Sequence, residues 1–195
     1  MLRFTSPYAW GCTADDLRAM YRRNLSTDHA EVGVGSGYFL RSEQGRTRWT
    51  ALNLIDPNPA ALAYVVSRLA ADGPVAHVAD ILVRESLPDR RFRSVAANYV
   101  LHCLPGTREV KQAAIANLAH LTDDDGTLFG ATVLGVAEHN ALGRSLMCGC
   151  NALGVFGNTH DSEAGLRRDL ESHFRRVELV RRSRVAMFRA SEPIR

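Results

Sequence analysis

The sequence predicts an α/β protein with a seven-stranded, mostly parallel sheet, one antiparallel strand near the C-terminus and helices on both faces. Three observations predict it. Short β-rich runs alternate with longer helical patterns, as expected of strands joined by helical crossovers. Residues 94–99 are nearly all apolar, which suits a central strand covered on both faces. The last two β-rich runs are joined by a connection too short for a crossover, so they form a hairpin and one of them is reversed.

The elements follow in order. A first strand at 29–32 ends in a cluster of glycines, Gly33, Gly35 and Gly37, and a helix at 38–43 follows. A second strand at 49–55 ends at Asp56. Pro57 and Pro59 then sit where a helix start tolerates proline, and Leu62, Val65, Val66 and Leu69 give the next helix one apolar face. A third strand at 75–78 is followed by Ala79 and Asp80, and the fourth spans 94–99. A helix at 108–121 ends at the turn Thr122-Asp123-Asp124-Asp125-Gly126, before a fifth strand at 127–134. A long helical and loop segment runs through Cys150 to 158–161. A short helix at 163–174 leads into strands at 177–180 and 185–188. Residues 8–12 and 14–25 are expected to be helical, so that the first 27 residues of a single domain (1–195) pack over the ligand edge of the sheet.

With 195 residues, 46% hydrophobic and 23% charged, the chain has the composition of a globular fold with a core of its own. The net charge is +3, and Lys111 is the only lysine. Arg175, Arg176, Arg181, Arg182 and Arg184 cluster on the two C-terminal strands. They read as a charged sheet edge, which discourages strand-to-strand aggregation, rather than as a nucleic-acid surface. No apolar run approaches the roughly 20 residues of a membrane span, and residues 1–7 lack the apolar stretch of a secretion signal. The expected location is therefore cytoplasmic. Cys148-Gly149-Cys150 is too closely spaced for the usual C-x-x-C hook. The aspartate run at 123–125 reads as a solvated turn, so no metal site is expected.

The chemistry begins at Glu31-Val32-Gly33-Val34-Gly35-Ser36-Gly37, between a strand and a helix. Glycines there let backbone approach a ligand closely, and open α/β sheets bind ligands at the carboxyl ends of their strands. Asp56, at the end of the next strand, is placed to accept hydrogen bonds from ribose hydroxyls. The same features describe a dinucleotide fold, but the spacing is G-x-G-x-G. A G-x-G-x-x-G fingerprint needs a third glycine where this chain has Tyr38 or Leu40. A ligand carrying adenosine without a pyrophosphate suits this loop better.

These residues resemble the class I S-adenosylmethionine-dependent methyltransferases, whose sheet is Rossmann-like with a reversed last strand. Residues 31–37 resemble that family's first motif. The resemblance implies that Asp56, with Pro57 and Asn58 beside it, holds the ribose. It implies that Asp80 recognises the adenine amino group with Ile81 lining the base, and that Asn98 and Tyr99 stand beside the methionine part and the acceptor. Glu31, Asp56 and Asp80 also have plain structural readings, as a strand-end polar residue and as helix caps. Trp10-Gly11-Cys12, Tyr21 and the string at 151–158 resemble a subgroup of small bacterial and fungal methyltransferases of natural-product pathways. The implied cofactor is S-adenosylmethionine, and the implied partner is a small-molecule methyl acceptor.

Methyl transfer from a sulfonium is an in-line displacement in which the protein mainly binds and orients. His102, just after the fourth strand, is the candidate general base, and His139 and His160 are candidates for the substrate wall. Tyr8, Trp10 and Tyr21 are candidates to close over the cofactor. The run Asn98-Tyr99-Val100-Leu101 is not the Asn/Asp-Pro-Pro-aromatic string of adenine and glutamine amide methylation, which favours a small acceptor over a macromolecule. A non-catalytic interaction module is the other reading. It has no need of the glycine loop, Asp56 and Asp80 together.

Overall fold

The computed structural model describes residues 6–69 and 73–195. Strands β1 (Asp28–Val32), β2 (Ala51–Asp56), β3 (Val75–Val78), β4 (Phe92–Asn98), β5 (Thr122–Val133), β6 (Phe174–Arg182) and β7 (Val185–Pro193) form a seven-stranded sheet in the order β3-β2-β1-β4-β5-β7-β6. The pairs from β3 to β5 are parallel, while β7 lies antiparallel between β5 and β6. One strand is therefore reversed, as expected. The chain leaves β1 toward one edge of the sheet and resumes at β4 on its other side. This makes β1 and β4 the topological switch point, where an open sheet leaves a crevice at its carboxyl end.

Period-two alternation divides the core between the two faces. On one face Leu52, Leu54, Ala96, Phe129, Ala131 and Val133 meet Leu17 and Tyr21 of α1 (Ala14–Asn24), Phe39 of α2 (Tyr38–Ser42) and Leu62 of α3 (Pro59–Val66). On the other, Ala30, Val32, Ile55, Val95, Ala97 and Leu128 meet Ile115 and Leu118 of α4 (Arg108–Leu121) and Leu170 of α6 (Glu163–Glu171). The remaining helix, α5 (Ala141–Ala152), packs beside the turn at Ser6–Trp10. Side-chain caps start the longer helices. Thr13 and Asp16 form a capping box on α1, and Thr107, Asn140 and Ser162 accept from backbone N–H groups of α4, α5 and α6.

Several expectations need correction. The aspartate run is not a turn before β5 but part of it. Phe92 pairs with Thr122 and Ser94 with Thr127, so β5 bulges here. Gly126 makes the bulge possible, since a Cβ there would lie 2.8 Å from the Phe92 carbonyl. Arg195 and Arg91 neutralise Asp124. The last helix stops at Glu171, because the buried Phe174 already belongs to β6. Val66 lies off the apolar face of α3, at 36% exposure, while Leu62 and Val65 are buried. The helix α1 covers a face of the sheet and not its ligand edge; only the turn at Ser6–Trp10 reaches that edge. Residues 1–5 of the expected N-terminal segment lie outside the described residues. The arginine cluster does lie on the outer strand β6 and its hairpin, where Arg176 pairs with Glu192 and Arg182 with Asp16.

Candidate active site

The crevice at the switch point is a cleft of about 340 Å³. One side is the loop after β1, with Glu31, Gly33, Gly35 and Ser36; the floor is Asn98 and Tyr99 at the end of β4. The far wall is His102, Cys103, Val155 and Phe156, and Trp10 closes one end.

The loop takes its shape from residues that only glycine serves well. Gly33, Gly35 and Gly37 all have positive φ, where a Cβ is disfavoured. The Gly33 N–H donates to the Ile55 carbonyl at 2.8 Å, and a Cβ on Gly33 would lie 2.4 Å from Cγ2 of Val100. The loop is thus pressed between β2 and the segment after β4. A Cβ on Gly35, by contrast, would have no neighbour within 4 Å, so that glycine faces the open cleft.

A buried polar cluster orients Glu31, which is 3% exposed. The Tyr21 hydroxyl donates to Oε2 of Glu31 at 2.6 Å, and Nε2 of His29 stands 3.2 Å from the same oxygen. His29 is tied in turn to Ser94 Oγ at 2.8 Å. The other carboxylate oxygen of Glu31 takes no part in these bonds. Tyr21 is therefore not a side chain that closes over the cleft. It is fully buried beneath Phe39 and acts on the cleft through Glu31.

Asp56 and Asp80 stand beyond the loop, at the ends of β2 and β3. Each accepts a backbone N–H through one oxygen, Asp56 from Asn58 and Asp80 from Leu82, both at 2.9 Å. Neither is the cap of a long helix: Asn58 caps α3, accepting from Ala60 and Ala61, and Pro57 is exposed. Ile81 is buried at 5% among Val32, Ile55 and Ala97, and its carbonyl accepts from Asn117. It is a core residue and does not line the cleft.

His102, the candidate base, stands on the far wall of the cleft. Burial, with the Lys111 charge second, lowers its pKa to about 3, so the ring is neutral at physiological pH. Its Nδ1 accepts from the Val133 N–H at 3.4 Å, which places the ring proton on Nε2. Phe156 packs edge-on against the imidazole with centroids 4.6 Å apart.

His139 and His160 do not line this cleft. Nε2 of His139 donates to the Leu134 carbonyl at 3.0 Å, and its ring packs edge-on against Trp10, so it supports that residue from behind. His160 lines a second cavity of about 210 Å³ behind the far wall, together with Leu101, Lys111, Thr132 and Asp161. Val155, Phe156 and Cys103 were not singled out from the sequence, although the string at 151–158 pointed to this segment. Among the described residues no cluster of His, Cys, Asp or Glu is arranged to hold a metal, and no helix is long and apolar enough to cross a membrane.

Two buried atoms stand out on the cleft floor. Among the described residues, Oδ1 and Nδ2 of Asn98 find no hydrogen-bond partner, although Asn98 is only 7% exposed and lines the cleft floor beside the glycine loop. Leaving both unpaired costs roughly 1–3 kcal/mol each, which a ligand with a donor and an acceptor at this position would recover. No protein-family model matches the chain. Full-length relatives do. The chain is 38% identical over 188 residues to the putative uncharacterized protein YbcY of Escherichia coli K12, covering 94% of this chain and 95% of that one. It is 36% identical over 188 residues to demethylluteothin O-methyltransferase of Streptomyces thioluteus, covering 95% and 81%.

The chain belongs to the methyltransferase family of this Streptomyces enzyme.

The N-methyltransferase NodS of Bradyrhizobium japonicum, solved in complex with S-adenosylhomocysteine, shares the fold of this methyltransferase with a TM-score of 0.65 and 16% identity, covering 91% of this chain and 84% of that one. In this methyltransferase the glycine loop, Glu31 and the unpaired Asn98 meet at the switch point of the sheet.

Proposed function

We propose that this chain transfers the methyl group of S-adenosylmethionine to a small-molecule acceptor in the cleft between the glycine loop and the wall formed by His102, Val155 and Phe156. The observation that carries the reading is the Asn98 side chain, buried at the cleft floor with both amide atoms unpaired. A zwitterionic amino-acid end presents both a donor and an acceptor, and so satisfies them. The open space at Gly35 and the carboxylate of Glu31 fit the rest of such a group. Asp56 accepts from backbone through one oxygen, and its second oxygen is proposed to take the ribose hydroxyls. Asp80 would act similarly toward the adenine amino group.

When bound, the sulfonium supplies an already activated methyl group. The chain's own work is then binding, orientation and exclusion of water. Holding the two reacting atoms about 3–3.5 Å apart contributes roughly 7–11 kcal/mol toward lowering the barrier. The acceptor side is mainly apolar, with Trp10, Tyr99, Val155 and Phe156, and Nε2–H of His102 offers an acceptor oxygen or nitrogen a donor. With its low pKa and its engaged Nδ1, His102 is proposed to orient the acceptor and not to deprotonate it. Trp10 would close the cleft.

A small-molecule acceptor is supported by the name of the Streptomyces relative and by a cleft of only about 340 Å³. We place the reaction in the cytoplasm, since all four cysteines are free and Cys103 and Cys148 are exposed, an arrangement suited to a reducing compartment. The test is a calorimetric titration of the purified protein with S-adenosylmethionine, S-adenosylhomocysteine and NAD. Binding of the two sulfur ligands and not of NAD supports the reading. Binding of NAD alone overturns it in favour of a dehydrogenase, and binding of none favours an interaction module.

A further inference from the structure

The far wall of the cleft is built from residues distant in sequence, and one buried side chain braces the segment that carries Val155 and Phe156. Lys111, on α4, is the only lysine in the chain and is 8% exposed. Its Nζ donates to the Gly157 carbonyl at 2.7 Å and to Oδ2 of Asp161. Both acceptors belong to the segment that carries Val155 and Phe156. Elsewhere that segment is held through backbone and through uncharged side chains, the Asn158 amide among them. The Gly157 N–H donates to the His102 carbonyl at 2.9 Å, Val136 N–H to the Asp161 carbonyl at 2.9 Å, and Nδ2 of Asn158 to the Val133 carbonyl at 2.8 Å. Gly157 is pressed so closely against the loop after β4 that a Cβ would lie 2.2 Å from the Leu104 carbonyl. Among the described residues, Lys111 thus supplies the side-chain charge that draws the segment at 155–161 toward α4. A compact ammonium with three donors suits two converging oxygens.

We propose that Lys111 is a positioning residue for the reaction: held between the Gly157 carbonyl and the Asp161 carboxylate, it fixes Val155 and Phe156 as the acceptor-side wall of the cleft. This rests on the reading of the cleft as the site of methyl transfer. Lys111 touches neither the glycine loop nor Asn98. It governs the geometry of the wall, including the Phe156 ring against His102, and leaves the cofactor side as it is. The burial that raises the pKa of Asp161, partly offset by Lys111, gives the carboxylate a strong need of that partner.

The test combines hydrogen exchange with titration by S-adenosylhomocysteine in Lys111→Met, Lys111→Arg and Asp161→Asn. In Lys111→Met the exchange of the Gly157 and Val136 amides is expected to rise at least tenfold, while the amides of β4 change less than twofold. The affinity for S-adenosylhomocysteine is expected to stay within about threefold of the parent value. The cavity of about 210 Å³ beside Lys111 leaves room for a guanidinium, so Lys111→Arg is expected to restore most of the protection. A merely space-filling residue would instead be rescued by methionine. Unchanged exchange at Gly157 in Lys111→Met overturns the proposal, and so does a uniform loss of protection across the sheet. If Lys111→Met does not fold, Asp161→Asn decides: at least threefold faster exchange at Gly157 upholds the proposal and no change overturns it. Should the parent protein fail to bind S-adenosylhomocysteine, the methyl-transfer reading falls, while the exchange data still report whether Lys111 holds the segment.

Discussion

The Tyr21 hydroxyl donates to Oε2 of Glu31 at 2.6 Å in a site closed to solvent. This bond links the face of the sheet covered by α1 to the carboxylate at the mouth of the glycine loop. With His29 at 3.2 Å from the same oxygen, it sets where the free oxygen of Glu31 lies. Tyr21→Phe removes the donor and little volume. A hydrogen bond to a charged group contributes about 1.5–3 kcal/mol, and we expect chemical denaturation to show a loss of that order. Affinity for S-adenosylhomocysteine should fall by a factor of about 5 for each kcal/mol lost in positioning Glu31. An unchanged affinity would show that Glu31 is not held by Tyr21 for binding.

Gly33 and Gly35 separate fold from ligand. At Gly33 an added Cβ meets Val100 at 2.4 Å in a positive-φ conformation. Gly33→Ala should destabilise the fold by about 2–5 kcal/mol, combining overpacking and left-handed strain. At Gly35 the space is open, so Gly35→Ala should cost only about 1–2 kcal/mol of strain. Its binding of S-adenosylhomocysteine should nevertheless weaken more than its stability does, because the methyl group projects where the ligand approaches. Thermal melts with and without ligand separate the two effects.

His102 carries a pH dependence whose sign is fixed. Its pKa is about 6.5 when unfolded and about 3 in the fold, so between these values the unfolded chain binds more protons. The stability it confers is full above pH 6.5 and is lost as pH falls toward 3, at about 1.4 kcal/mol per unit. Denaturation between pH 6.5 and 5, before most carboxylates titrate, should show this slope. His102→Asn, which does not titrate, should reduce the slope, leaving the part due to His77 and His120, whose pKa values burial also lowers.

Much of this was legible in the sequence. The helix at 108–121 was expected with the observed bounds, and all seven strands were placed, because apolar alternation and turn residues report backbone directly. The bulge in β5 was not, since three consecutive aspartates before a glycine read locally as a turn. Their place in the strand depends on pairing with β4 and on the close approach of Gly126 to it, which are tertiary contacts. In the site, Glu31, Gly33, Gly35, Asn98 and Tyr99 were legible because motifs at strand ends converge on the switch point whatever the surrounding packing. Tyr21 was placed at the site without its buried role, which depends on a residue ten positions away across the fold. The low pKa of His102 was out of reach for the same reason: burial and Lys111 are tertiary facts. Lys111 itself drew no notice as a structural residue, because a helical lysine ordinarily faces solvent.

Asp56 gives the most direct test of the central claim, that the cleft holds S-adenosylmethionine. One oxygen accepts from the Asn58 N–H, a bond that an amide oxygen preserves, so Asp56→Asn should keep its stability within about 0.5 kcal/mol, the usual range for a substitution that breaks no structural contact. The measurement is a calorimetric titration of parent and Asp56→Asn with S-adenosylhomocysteine. We expect tight binding by the parent and a loss of about 10-fold or more in the variant, the equivalent of one charge-assisted hydrogen bond of at least about 1.4 kcal/mol. Equal affinities in the two proteins, or no binding by the parent, would contradict the account.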